Sequence, residues 1–73
     1  MEISNLIKMA NNIGAFFKSE PDRVLAVNGV HQHMQNFWEP RMRSQIIEYS
    51  QQDGSELMDI VLDAVKQLSV ASR

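Results

Sequence analysis

Apolar residues recur along this chain at steps of three and four, and the recurrence is interrupted at Pro21, Pro40 and Gly54. That period predicts helices, because residues three and four apart share one helical face while strands alternate every second residue. Four segments follow, at residues 4–18, 21–37, 40–52 and 55–69. In the first, Leu6, Met9, Ala10, Ile13, Phe16 and Phe17 form one stripe, with Ser4 as the expected N-cap. Gly14 weakens this helix by about 1 kcal/mol relative to alanine, so its place there predicts a close approach by another helix.

The second segment opens with Pro21, which suits a first helical position, and Asp22, whose charge favours the positive helix end. Its inward stripe is Val24, Val27, Val30, Met34, Phe37 and Trp38; Leu25 points away from it. Pro40 starts the third helix and pushes Glu39 out of helical geometry, which forces a sharp turn. Met42, Ile46, Ile47 and Tyr49 supply the apolar side of that helix. Gly54 is the expected left-handed cap that ends it. Ser55 is the expected cap of a fourth helix with Leu57, Val61, Ala64, Val65 and Leu68 inside and Met58 and Leu62 beside them. Val70 to Arg73 reads as a frayed tail. The fold class is therefore all-α: a compact bundle of four short amphipathic helices, with residues 1–73 as a single helical domain.

Size and charge narrow the possible roles. A chain of 73 residues without cysteine has a marginal core and no disulfide to support it, which points to a partner or to self-association. The net charge of −2 argues against a nucleic-acid binder. No apolar run is long enough to span a bilayer and no secretory signal opens the chain, so a cytoplasmic location is expected, with no membrane partner.

Candidate chemistry is sparse. His31 and His33 lie about 200° apart on a helix and cannot share a metal as residues i and i+4 would. His31 falls on the flank of the apolar stripe, as a half-buried histidine with a backbone or solvent partner. No nucleophile motif or phosphate-binding glycine loop is present. Glu56, Asp59 and Asp63 share a face of the last helix and read as a solvated surface, with Lys66 placed to pair with Asp63. No catalytic, cofactor-binding or metal residues are assigned. The densest cluster of unusual residues is Phe37-Trp38-Glu39-Pro40-Arg41-Met42-Arg43. Arg41 and Arg43 begin a helix, where positive charge is unfavourable, so something must compensate. A carboxylate such as Glu39, stacking on Trp38, or an anionic or carbonyl-rich partner surface would each do so. Trp38 either packs the corner between two helices or contributes to that contact.

Two stretches carry a family resemblance. Met9 to Phe17 is similar to an M-A-N-x-I-x-x-F-F core, and His33 to Arg43 to an H-x-x-x-F-W-x-P-R-M-R signature; a glycine-led final helix from Gly54 to Leu68 adds a weaker third element. The chain thereby resembles the delta subunit of cytoplasmic, multi-subunit NAD-dependent formate dehydrogenases of the molybdenum or tungsten type. The resemblance implies a non-catalytic accessory subunit that carries no cofactor. It implies support for assembly, stability or maturation through contact with the larger formate dehydrogenase subunits, first among them the one that carries molybdopterin. With that implication, Trp38, Pro40, Arg41 and Arg43 become candidate partner-binding residues, His33 a supporting contact, and Phe37 a core residue. The alternative is a self-associating or regulatory helical module, a homodimer when isolated, unrelated to formate oxidation.

Overall fold

The structure is a computed structural model that describes the backbone of residues 2–71 and the side chains of residues 2–69. It consists of α1 (Ile3–Phe17), α2 (Arg23–Phe37), α3 (Pro40–Gln52) and α4 (Asp59–Ala71), with no strand among the described residues. The all-α expectation holds. The last helix extends through Ala71, past the point where fraying was expected; Ser72 and Arg73 lie outside the described residues.

The fourth helix organises the bundle. It packs on α1, α2 and α3, most extensively on α2. Val61, Ala64, Val65 and Leu68 are fully buried along it, and Ile60 nearly so. They meet Leu6, Ile7 and Ala10 from α1, Ala26, Val27, Val30 and Met34 from α2, and Ile46 from α3 in one cluster. Small and β-branched residues dominate the α4 face, so three neighbours can approach it at once.

Gly14 shows how close that approach is. A Cβ built there would stand 2.5 Å from Cγ2 of Val61 and 2.9 Å from Sδ of Met58. Val61 is fully buried and β-branched, so it has little freedom to move aside. Overpacking of this kind costs about 1–3 kcal/mol, while alanine restores about 1 kcal/mol of helix preference. Gly14→Ala is thus expected to lose up to about 2 kcal/mol in urea denaturation. A variant more stable than the parent would show that α1 and α4 are not in such close contact.

Three helix starts differ from expectation. In α1 the carbonyl of Glu2 accepts from the amides of Asn5 and Leu6, so the helix begins at Ile3 and Ser4 lies inside it. In α2 the N-cap is Asp22, whose side chain accepts from Val24 and Leu25 N–H; Pro21 precedes the cap. In α4 the helix begins at Asp59, and Ser55 instead bonds Asp53 across the preceding turn. The reason lies in α1. Asn11 donates to the Glu56 carbonyl at 2.8 Å and accepts from Met58 N–H at 3.0 Å. The Tyr49 hydroxyl also accepts from Glu56 N–H. These bonds hold 54–58 as a pinned turn. Gly54 leads into it at φ 71°, in the left-handed region that was expected of it.

An ion pair joins α2 to α4. Arg23 donates to Asp59 at 3.0 Å and to Asp63 at 2.5 Å. Asp63 is therefore engaged across helices, where pairing with Lys66 along its own helix was expected, and the acidic face of α4 is more than a solvated surface. The hydrogen bond from Arg23, and after it that from Ile60 N–H, hold the Asp59 carboxyl below its ordinary value of 3.8. A depressed carboxylate contributes stability that is present above the ordinary value and fades as pH falls through the folded one. The stability difference between the parent and Arg23→Gln should therefore be small, constant near neutrality, and shrink below about pH 4. Thermal melts at several pH values test this; a difference that grows with acid would contradict it.

A rigid corner and an aromatic groove as the candidate partner surface

The corner between α2 and α3 is built by three residues in extended or helix-starting geometry. Trp38 leaves α2 at φ −91°, ψ 137°, and its N–H still closes the helix on the Met34 carbonyl at 3.0 Å. Glu39 is extended, as the following proline demands, and Pro40 takes the first turn of α3, where its missing N–H costs nothing. The Glu39 carbonyl accepts from Arg43 N–H at 3.1 Å. Trp38 is only 5% exposed and joins the buried cluster.

Arg43 answers the electrostatic puzzle of the sequence. Its guanidinium donates to the Trp38 carbonyl and, at 3.4 Å, to that of Gln35. These belong to the last turn of α2, where carbonyls lack helical partners and the helix end is negative. A cation that is unfavourable at the start of α3 is thus favourable at the end of α2. The compensating group is the chain's own backbone, reached because the turn at Trp38 and Glu39 folds one helix end against the other.

The five candidate residues consequently divide. Trp38 is buried at the corner, and half-buried Arg43 bonds its carbonyl. Pro40 and Arg41 are exposed at the start of α3, and the Arg41 side chain makes no hydrogen bond or ion pair among the described residues. His33 faces α1. Its ring tilts against Phe37 with centroids 4.9 Å apart, and it lines a groove with Asn12, Ile13, Phe16 and Phe17.

Phe37 and Phe16 correct the sequence reading. Both were assigned to the core; they are 74% and 78% exposed. Val24, also placed inward, is exposed as well. Neighbouring helical residues point about 100° apart, so in Phe16-Phe17 only one ring can face inward. Phe17 does so and lies against Gly29, while Phe16 stands edge-to-face on it at 5.0 Å. At the end of α2 it is Trp38 that turns in and Phe37 that stays out. The adjacent aromatic pairs were the available signal that half of this surface points to solvent. Asn11 was missed for another reason: its partners lie 45 and 47 residues away.

His31 is half-buried, as expected, but its Nε2 is shielded from solvent and meets no hydrogen-bond partner among the described residues, where a backbone or solvent partner was expected. Among the described residues no group of three histidine, cysteine or acidic side chains is placed to hold a metal ion. No described helix is long and apolar enough to cross a membrane.

Residues 5–65 match the family model described as NADH-dependent formate dehydrogenase delta subunit FdsD. No curated protein and no solved structure matched the chain.

Proposed function

Because the chain belongs to the formate dehydrogenase delta-subunit family, we propose that it is a non-catalytic docking subunit, and that its α2–α3 corner meets the molybdopterin-carrying catalytic subunit in the cytoplasm. Family membership makes the other formate dehydrogenase subunits its partners; the finer assignment rests on the corner. The observation that carries it is the division of labour there. Buried Trp38 and half-buried Arg43 hold the turn, and Pro40 and Arg41 stand outward beside it. A preorganised surface loses little conformational entropy on binding. Arg41 presents a positive charge beside a positive helix end, which suits carboxylates or carbonyls on the partner. The role that follows is mechanical: the bundle braces the larger subunit during assembly or maturation and adds no reactive group.

Arg41→Glu separates docking from folding. A carboxylate in the first turn of a helix is favourable by a few tenths of a kcal/mol, so the isolated variant should be as stable as the parent. Its co-purification with the catalytic subunit should nevertheless fall about ten-fold or more. Parental co-purification by the folded variant would remove the corner from the interface.

A further inference from the structure

The chain places asparagine before glycine at Asn28-Gly29, in the middle of α2; Asn5, Asn11, Asn12 and Asn36 are each followed by a larger residue. Glycine has no Cβ to hinder its own amide nitrogen as it closes on the preceding side chain. In that closure the Gly29 nitrogen bonds to Cγ of Asn28, the Cγ–Nδ2 bond breaks, and Nδ2 leaves as ammonia with the proton from Gly29. Water then opens the cyclic imide. Opening at Cγ gives aspartate. Opening at the main-chain carbonyl gives isoaspartate, whose backbone runs through the former side chain and is longer by a carbon. The net change consumes water and releases ammonia, with no oxidation or reduction.

The packing requires this glycine. A Cβ at position 29 would stand 2.4 Å from Cε1 and 2.6 Å from Cδ1 of Phe17, a ring partly buried against the core. Asn28 beside it is exposed, and its side chain makes no hydrogen bond among the described residues, whereas that of Asn11 is tied at both ends. The helix restrains the reaction: the Gly29 N–H belongs to the helical ladder, and helical dihedrals oppose the approach of its nitrogen to Cγ. Ring closure therefore needs α2 to open. Ala26, Val27 and Val30 around the pair are core residues, so opening there disrupts the bundle itself. We propose that Asn28-Gly29 is a conformation-gated deamidation site, silent while α2 is closed and converted in chains whose α2 opens. The isoaspartate product cannot rebuild α2, because its added backbone carbon throws the helical bonds that span it out of register between Val27 and Val30. Opening of a small core without disulfides thus becomes irreversible. The site stands on the fold alone, whichever surface docks.

The test incubates the purified full chain in mildly alkaline buffer, with and without unfolding concentrations of urea, and follows each asparagine by peptide mapping and mass spectrometry. In urea, Asn28 should convert ahead of Asn5, Asn11, Asn12 and Asn36. Because the chemistry is slow beside reclosing, its rate without urea should follow the open fraction and fall about 100-fold or more. Asp53-Gly54 shares the pattern but is already an acid, so it gives no amide-to-acid exchange. The products are then separated, returned to buffer and examined by far-UV circular dichroism. The aspartate form should regain parental helicity and the isoaspartate form should not; Asn28→Gln, which would have to close a larger ring, should stay refoldable throughout. Equal Asn28 rates with and without urea would overturn the gating. Earlier conversion of another asparagine in urea would overturn the site, and parental helicity of the isoaspartate form would overturn the irreversibility.

Discussion

Replacing Trp38 with alanine is expected to cost about 3–5 kcal/mol of unfolding free energy, the range for removing a large buried aromatic side chain. Trp38 is almost fully buried at the point where α2 ends, in one cluster with Val30 and Met34. Truncation leaves a cavity beside a chain reversal that Phe37, which points outward, does not fill. Domains are stable by only about 5–15 kcal/mol, and small ones lie towards the lower end. The variant should therefore melt well over 10 °C below the parent or be largely unfolded at room temperature. Trp38→Phe should retain much of the lost stability because it refills part of the volume. Urea denaturation followed by far-UV circular dichroism measures all three. A loss below about 1 kcal/mol for the alanine variant would mean that the corner does not depend on the indole.

The second large effect is expected at Arg43. Its guanidinium serves two carbonyls of the last turn of α2. Hydrogen bonds involving a charged partner contribute about 1.5–3 kcal/mol where they are shielded, and only the Trp38 bond is partly buried. Arg43→Ala should thus lose about 2 kcal/mol. Arg43→Lys should recover only part of this, because one guanidinium nitrogen reaches both carbonyls and the shorter, more strongly hydrated lysine side chain retains the charge without that placement. The comparison with Arg41→Glu is informative. Both positions belong to the same motif, yet the first should be read out in stability and the second in subunit recovery. Equal stability of the Arg43→Ala variant and the parent would return Arg43 to the exposed interface set.

The sequence was most legible where the chain is punctuated. Pro40 and Gly54 mark α3 because each acts through its own backbone: the one lacks an N–H, the other adopts a positive φ. The start of α4 was not legible because Asn11 sets it from the far end of the chain. Local capping preference favoured Ser55, and a tertiary clamp overrode it. The core was legible as stripes but not at their margins. A stripe of apolar residues does not say which of Phe16 and Phe17, or of Phe37 and Trp38, turns inward; Phe17 does so where Gly29 leaves room for its ring. At the candidate site, the awkward placement of Arg43 was visible as a charge at a helix start. Its solution was not, because the acceptors are backbone carbonyls brought there by the turn. His33 lies at the groove beside α1, and Phe16 and Phe37 belong to the surface.

The central proposal is that this small bundle, a member of the formate dehydrogenase delta-subunit family, joins the larger subunits through the surface at its α2–α3 corner. The most direct measurement is the mass and composition of the assembly formed when the tagged chain is co-expressed with the catalytic subunit and resolved by native mass spectrometry. The account predicts a defined complex containing both chains, lost with Arg41→Glu although that variant remains folded. A parental chain that is folded yet recovered only as a monomer or homodimer, with the catalytic subunit present and unbound, would contradict it.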